Sequence, residues 1–558
     1  MKKKNIILTL FILALLIRLF GITQPLYDGE ADLANFDGYF NSKYFLLHSS
    51  EEKDDYSYFV EADIQPTRPH HPPLSVLLYG ASWLLFGPSA ASFRLVSILF
   101  GIAGLYFIYL IAEFLYNEKT ALYSLILAAF TFWYILASLQ VGQHGALIIA
   151  FSLGMFYYFL RYKRWNKTKD FVISAVFLSM AFLTTYLAFI LILVILVYSL
   201  LGAESIKNIK KRILRLIPYF LISLALFSLF PIISYFTNFD IFLRTILGSG
   251  HVLSFIPSMR VVIFLMIWAG PLLLSLALLS LTKHRKEDNL FIITIIIFLL
   301  ISIFTKSYAS LDRYLMIIIP SLCILSGKFL AELRLNKKLV YLFVITFAVS
   351  YIILLGMNLK GVDYLPHDLS GYIDRAKNLD FNFYFPITGP VGPTFGLSFS
   401  SIILPAIISA VLFVLSLIFI KNKKAFSILV MALIGVSFAF NAIITQEFLF
   451  NTAHPDISKI RYELIDYYKE NKLAGNLYSN DLALWHYLDK KSFRDFYLFN
   501  DIALDELDSL IKIEHGTILV TQFPRIAEDS RLWQLISQCS LAREFSSKNI
   551  VIGYVFYC

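Results

Sequence analysis

Two carboxylates, Asp28 and Glu30, stand in the stretch Tyr27-Asp-Gly-Glu-Ala-Asp, just past an opening apolar run. Residues i and i+2 of an extended segment share a face, so this pair can serve one proton-transfer or metal site. Asp28 can equally cap a helix that opens at Gly29, but capping does not need two acids and leaves Glu30 available. Asp37 is a further acid on the same stretch. Later, Arg68-Pro-His-His-Pro-Pro-Leu sets His70 and His71 before a Pro-Pro pair that starts a helix rigidly. Adjacent histidines rarely share one face, so a polar loop edge or a phosphate donor suits them better than joint metal ligation. If a divalent ion is used, Asp28, Glu30 and His71 are its ligands. No spacing demands one, and no cofactor is required.

The second constellation is cationic. Arg94 opens one apolar run, Lys306 and Asp312-Arg313-Tyr314 flank another, and Arg244, His251 and Arg260 precede a third. Any one of them can anchor a helix end by snorkelling. As a group they fall on the side of the membrane that disfavours cations, so the group needs another cause. A lipid phosphate at the interface is such a cause, since Arg grips it with two parallel hydrogen bonds.

The elements that must position these residues are membrane spans. Of 558 residues, 58% are hydrophobic and only 16% charged, with 52 Phe and 33 Tyr. The mean hydropathy is +0.69. A soluble domain carries about 25% charge, so this balance excludes a soluble enzyme, a disordered chain and a fibrous repeat. The net charge of +9 sits in short clusters between apolar runs, whereas nucleic-acid binding needs a continuous basic face. Apolar runs at 6–20, 93–115, 119–138, 142–161, 171–184, 186–202, 216–235, 260–281, 290–304, 313–327, 339–357, 399–420 and 425–444 predict about thirteen spans across a ~30 Å hydrocarbon core. The two runs meeting at Thr184-Thr185 are short and nearly fused, which makes the count weakest there. With the N-terminus in the cytoplasm, the links at Arg161–Arg164, Lys207–Arg215, Lys283–Lys286, Lys328–Lys338 and Lys421–Lys424 all fall inside, as the positive-inside rule asks. The long first exterior loop, 24–92, then holds the acids. Its apolar stretch Ser75–Phe86 is too short to span comfortably and reads as an interfacial helix.

The expected organisation is therefore a membrane domain, 1–446, and an exterior soluble domain, 447–558. In the latter, helix-like stretches (Asp456–Lys472, Leu482–Leu488, Leu504–Ile513, Arg531–Gln538) alternate with strand-like runs (Asn476–Ser479, Asp495–Leu498, Thr517–Thr521). Arg543–Cys558 ends the chain as a strand pair, giving a small α/β fold. In an oxidising exterior Cys539 and Cys558 can pair. The alternative is two unpaired buried thiols.

The ordered motifs resemble the GT-C superfamily of polyprenyl-phosphate-sugar glycosyltransferases. They are Asp28-x-Glu30 after the first span, His71-Pro-Pro-Leu, Leu85-Phe-Gly-Pro-Ser, Ala91-Ser-Phe-Arg-Leu-Val-Ser and Arg313-Tyr-Leu with Pro320. The branch they resemble most is the protein O-mannosyltransferases and lipid A aminoarabinose transferases. The motifs cover roughly 1–330. The resemblance implies a polytopic α-helical enzyme with an exterior α/β domain and an active site on the exterior face. It implies a polyprenyl- or dolichyl-phosphate sugar donor and a lipid, glycan or protein acceptor. It gives Asp28 and Glu30 the catalytic role, and Arg94, Lys306, Arg313 and His71 the donor phosphate. Asp37, His70, His144, His251 and Arg260 are further candidates. Relatives commonly have adjacent Asp-Glu, so which of Asp28 and Glu30 is the base stays open. Gln143-His144-Gly145 and Leu183-Thr184-Thr185 stand where relatives often have an acid and a Leu-Thr-Lys, so the resemblance leaves the donor-phosphate contacts and the sugar open. The competing reading is a transporter or lipid flippase, which should show related halves and interrupted midplane helices. No convincing internal repeat is present. A membrane-anchored binding protein would leave the first loop without purpose.

Overall fold

The computed structural model describes residues 3–24, 72–87, 89–201, 206–237, 260–304, 314–333, 335–365, 369–387, 395–471, 473, 476–481, 484, 488, 516–522, 526 and 530–558. Within the described residues each expected apolar run is mostly helical. In chain order the first helices are α1 (Lys3–Phe20), α2 (Pro73–Phe86), α3 (Ala90–Leu115), α4 (Glu118–Phe130), α5 (Phe132–Leu139), α6 (Ala146–Trp165), α7 (Thr168–Thr184) and α8 (Ile190–Leu200). They are followed by α9 (Ile206–Thr237), α10 (Arg260–Trp268), α11 (Gly270–Ser280), α12 (Asn289–Ile303), α13 (Ile319–Glu332), α14 (Lys337–Leu359) and α15 (Leu369–Lys377). The short strands β1 (Tyr384–Pro386) and β2 (Gly396–Ser398) pair antiparallel, and α16 (Phe399–Ile418) and α17 (Lys423–Phe450) complete the bundle.

This is a multi-pass membrane protein. Among the described residues six helices are long and apolar enough to cross a bilayer, or seven if the bent pair α4–α5 counts as one. The exact count of thirteen is not confirmed, because the remaining apolar helices are shorter or more polar. Helix α14 presents Val340, Val344, Ile345, Val349, Ile352 and Ile353 on its outside. Such a stripe is stable only where lipid replaces water. By contrast, every residue of α5 is buried.

Two local findings refine the expected spans. The run 119–138 is not one rod: α4 and α5 meet at 65°. Asn441 of α17 bridges the break, accepting from the Phe132 N–H at 2.8 Å and donating to the Phe130 carbonyl at 2.7 Å. A helix can break inside a membrane only where a neighbour satisfies the freed backbone in this way. The fused pair does separate into α7 and α8. Lys163 Nζ lies 3.9 Å from the Tyr198 ring, and Arg212 donates to the carbonyls of Ser199 and Leu201. The start of α7 and the end of α8 therefore share one end of the bundle, and the chain doubles back at Thr185.

That same end gathers the basic links. Lys119 Nζ donates to the Ala331 carbonyl at 2.7 Å, Arg285 pairs with Glu332 at 2.7 Å, and Phe426 packs on Phe329. At its centre Lys328 and Asp288, 1% and 0% exposed, form a 2.5 Å ion pair. Tyr116 donates to Asp288 Oδ1 at 2.6 Å, the Arg285 N–H donates to Oδ2 at 2.8 Å, and Lys328 also donates to the Lys283 carbonyl.

At the opposite end stands the C-terminal domain. Helix α18 (Ile457–Glu470) is followed by β3 (Asn476–Ser479), β4 (Gly516–Thr521), α19 (Arg531–Ile536), β5 (Ser540–Ser547) and β6 (Ile550–Tyr557). The sheet order is β3-β4-β6-β5, with β3 parallel to β4 and the other pairs antiparallel. Ile457, Ile460, Leu464, Ile465 and Tyr468 repeat at helical spacing and pack with Leu477, Leu519, Phe545, Ile552 and Val555 on one sheet face. Tyr478, Ile518, Val520, Ile536 and Phe556 fill the other. Strand β4 is buried throughout, as a central strand covered on both faces must be. Cys539 and Cys558 are disulfide-bonded.

The domain is fastened to the bundle through Glu447, 1% exposed, near the end of α17. Its carboxylate accepts from Thr452 Oγ1 and from the N–H groups of Ala453 and His454. His454 Nδ1 lies 3.0 Å from Tyr364 Oη, and Nε2 lies 3.0 Å from Asn358 Oδ1, which also accepts the Ser398 N–H. Since Oδ1 only accepts, Nε2 carries the imidazole proton and Nδ1 takes that of Tyr364. Burial, helped by Lys548, pushes the His454 pKa down from 6.5 to about 3.

Candidate active site

The chain stops being helical between α5 and α6, at Gln140–Gly145, and this break organises the end of the bundle away from the basic links. Gly142 has φ +134°, a conformation side chains rarely adopt, and a Cβ on Gly145 would lie 2.8 Å from the Ala137 carbonyl oxygen. Free backbone groups in a buried turn need partners. Tyr79 of α2 supplies them: its hydroxyl accepts the Gly142 N–H at 3.0 Å and lies 3.1 Å from the Gly142 carbonyl oxygen and 2.9 Å from Ser97 Oγ. Ser97 of α3 donates to the Gln140 carbonyl at 2.7 Å. Its proton is thus spent, and the Tyr79 proton is shared between Ser97 Oγ and Gly142 O. Ser75, Tyr79 and Ser82, at i, i+4 and i+7, form the buried face of α2, while Leu84, Leu85 and Phe86 stay outside. The expected interfacial helix is amphipathic in this sense.

Arg94 extends the network. It is fully buried, with Nη1 donating to the Leu139 carbonyl at 2.6 Å and Nε to the Gln24 carbonyl at 3.2 Å. It links the end of α5 to the root of the first long loop. On the far side His144 Nδ1 lies 3.3 Å from Thr185 Oγ1, and the His144 ring meets Tyr314 edge-on at 4.9 Å. Thr185 is extended, and its Oγ1 accepts the Leu187 N–H that opens the 3-10 turn Tyr186–Phe189. Gln24, Tyr79, Arg94, Ser97, Gln140, Gly142, His144, Thr185 and Tyr314 therefore form one polar collar across α2, α3, α5, α6 and α7.

The expected site residues adjoin the collar residues along the chain. Gln24 precedes the stretch with Asp28, Glu30 and Asp37, Pro72 follows His70 and His71, and Tyr314 follows Lys306 and Arg313. Those acids, histidines and cations, with His251, lie outside the described residues. Arg260 opens α10. Of the expected residues, Arg94 and His144 are brought together in the collar. Arg94, expected at the donor phosphate, is buried, and its guanidinium donates to the Gln24 and Leu139 carbonyls. Among the described residues no three His, Cys, Asp or Glu side chains are placed to hold a metal ion. Gln24, Tyr79 and Ser97 escaped the sequence reading. The available signals were a Tyr on the serine face of α2 and a run, Gln-Val-Gly-Gln-His-Gly, that interrupts an apolar stretch with two glycines.

Residues 70–235 match the family model of the dolichyl-phosphate-mannose-protein mannosyltransferases, a region that holds the Tyr79, Arg94, Ser97, His144 and Thr185 part of the collar. Across its whole length the chain is similar to ArnT from Cupriavidus metallidurans, solved in the apo state and bound to undecaprenyl phosphate. Identity is 15% and 14%, the match covers 100% of this chain and 98% of ArnT, and the TM-score is 0.61 in both states. The chain has the GT-C fold. The fold that the ordered motifs implied is thereby shown, from the apolar helices to the small C-terminal sheet. A weaker likeness is to the oligosaccharyltransferase AglB of Archaeoglobus fulgidus, in complex with an inhibitory peptide and a dolichol-phosphate. Its identity is 11%, covering 92% of this chain and 69% of AglB, with a TM-score of 0.44. None of the curated proteins matches this chain.

Proposed function

We propose that this chain is an integral membrane glycosyltransferase that moves a sugar from a polyprenyl- or dolichyl-phosphate donor to a hydroxyl of a lipid, glycan or protein acceptor. The observation that carries the reading is the family-model match over 70–235, the region that holds much of the collar. The full-length likeness to ArnT, which binds undecaprenyl phosphate, supports the donor class.

In this proposal Asp28 or Glu30 takes the acceptor hydroxyl's proton as that oxygen attacks the anomeric carbon. The bond from that carbon to the phosphate oxygen breaks, its electron pair leaves with the lipid phosphate, and the configuration inverts. Lys306, Arg313 and His71 meet the growing phosphate charge, and preplaced cations of this kind are often the largest contribution to catalysis. Arg94 acts as a positioning residue, because its donors hold Gln24 and Leu139 in register. The collar end faces the exterior and the N-terminus the cytoplasm. Support comes from the basic links, which gather at the other end, and from the Cys539–Cys558 disulfide, a bond of oxidising compartments.

The test is release of free polyprenyl phosphate from a sugar-charged polyprenyl phosphate by the purified protein, with acceptor present. Release by wild type and its loss in Asp28→Asn or Glu30→Gln is the expected result. Undiminished release by the double variant, or lipid movement across vesicles without any release, overturns the reading.

A further inference from the structure

We propose that the basic end of the bundle carries a docking surface for an anionic phospholipid of the surrounding bilayer, built where the end of α6 and the start of α7 meet the start of α9. The surface lies at the opposite end from the polar collar and rests on no catalytic reading.

The stretches Arg161–Lys169 and Ile206–Arg215 hold ten Lys and Arg residues and no Asp or Glu. Packing brings the two stretches together. Tyr219 Oη of α9 lies 2.9 Å from Ser174 Oγ of α7, and Ser223 Oγ donates to the Ala175 carbonyl at 3.0 Å. The two helices therefore run parallel with an offset of 45 to 48 positions, which sets Lys167 level with Arg212 and Arg215. The end of α8 sits between the stretches. Lys163 Nζ lies 3.9 Å from the Tyr198 ring, and Arg212 donates to the Ser199 and Leu201 carbonyls. Lys163 and Arg212 are close enough to repel each other. Asp170, the next acid along α7, is buried and pairs with Arg161 at 3.3 Å. Lys163, Arg164, Lys167, Lys210 and Lys211 stay exposed.

This surface meets lipid as well as water. Helix α9 is long and apolar enough to cross a bilayer along Lys207–Ile232. Leu214, Ile217 and Leu221 lie exposed at helical spacing on it, and such a stripe is stable only against acyl chains. One turn back on the same face stand Lys210 and Lys211, and two turns back Lys207, all exposed. Trp165, also exposed, meets Phe114 edge-on at 5.3 Å and carries Lys167 Nζ 5.7 Å from its ring. An exposed Trp at a span end marks the headgroup level. A single lysine there needs only snorkelling to explain it. Cations converging from α6, the link to α7, and α9 need a counter-charge, and a headgroup phosphate supplies it at the right depth. The apolar stripe below takes the acyl chains, so the ligand is a lipid and not a soluble phosphate. A zwitterionic lipid brings a cation of its own to the cluster and fits less well.

The experiment titrates the purified full-length protein in detergent with phosphatidylglycerol, phosphatidylcholine or glycerol phosphate, and counts bound lipid by native mass spectrometry. Each lysine near an anionic headgroup is worth about fivefold in binding. Wild type is expected to prefer phosphatidylglycerol over phosphatidylcholine at least about tenfold. Lys210→Gln/Lys211→Gln and Lys163→Gln/Lys167→Gln should each lower that preference at least about tenfold. Lys210→Arg/Lys211→Arg, which keeps both charges, should retain it. The control is Lys337→Gln/Lys338→Gln, which removes two exposed cations from the start of α14, another lipid-facing helix, and should change the preference less than about threefold. Equal binding of the two lipids by wild type overturns the proposal. So does a control that loses as much preference as the site variants, because the binding is then diffuse surface charge. Glycerol phosphate that displaces the bound lipid at equal concentration also overturns it, since the ligand is then a soluble phosphate.

Discussion

Removing one charge from the buried pair at the basic end should cost more than removing both together with the tyrosine hydroxyl that bonds Asp288. Lys328 and Asp288 are almost wholly buried and 2.5 Å apart. Replacing Asp288 by Asn leaves an ammonium in an apolar bundle with the Lys283 carbonyl and a neutral amide. Breaking a buried pair from one side costs about 3–5 kcal/mol, while replacing both members by apolar residues is often neutral or stabilising. Asp288 also serves Tyr116 Oη and the Arg285 N–H. The apolar pair Asp288→Leu/Lys328→Met orphans those two donors, at about 1–3 kcal/mol for each that stays buried. Adding Tyr116→Phe removes one of them. The expected order of stability, read as unfolding midpoints of the purified protein in one detergent, is wild type, then the triple variant, with both the apolar double and Asp288→Asn below it. The double should lie above the sum of its single variants by at least about 1 kcal/mol of coupling. An Asp288→Asn midpoint equal to that of Lys119→Gln, an exposed lysine that meets the Ala331 carbonyl and the Tyr123 ring, refutes the argument that burial makes this pair costly to break.

Tyr79→Phe leaves the Gly142 N–H without its partner in a buried turn, so a loss of about 1–3 kcal/mol is expected. Ser97→Ala, whose Gln140 carbonyl partner has a second lone pair, should cost less, and equal midpoints would contradict the assigned proton positions. His454 stays neutral down to about pH 3 when folded, against 6.5 unfolded. The unfolded chain binds the extra proton between those values, so stability is full above pH 6.5 and falls toward pH 3, by up to about 1.4 kcal/mol per pH unit. His454→Gln should flatten that dependence, and an unchanged slope would refute it. Reduction of the Cys539–Cys558 bond, which closes a separation of 19 residues, should destabilise the C-terminal domain by about 3 kcal/mol. Limited proteolysis with and without reductant reads it, and identical cleavage would count against the estimate.

The amino-acid sequence by itself determined the solvent this protein lives in and where its helices run. Apolar runs are local, and a bilayer leaves a chain no choice but to satisfy its backbone within each segment. The strands Asn476–Ser479 and Gly516–Thr521 and helix Ile457–Glu470 were legible for a similar reason, since period-2 and period-3.6 patterns are written along the chain. Clusters of Lys and Arg marked the links that share one end. Tertiary structure alone decided the rest. No pattern near Thr131 announces a 65° break, because the residue that makes it tolerable, Asn441, lies some three hundred positions away. Nor does any spacing say that the Tyr79 hydroxyl satisfies Gly142, or that Arg94 reaches the carbonyls of Gln24 and Leu139. Hydrogen bonds across a bundle depend on which helix faces which, and that is settled by packing many segments at once. The sequence therefore placed the acids and histidines along the first loop, and the fold decided how Gln24, Tyr79, Ser97 and Arg94 bond across the helices.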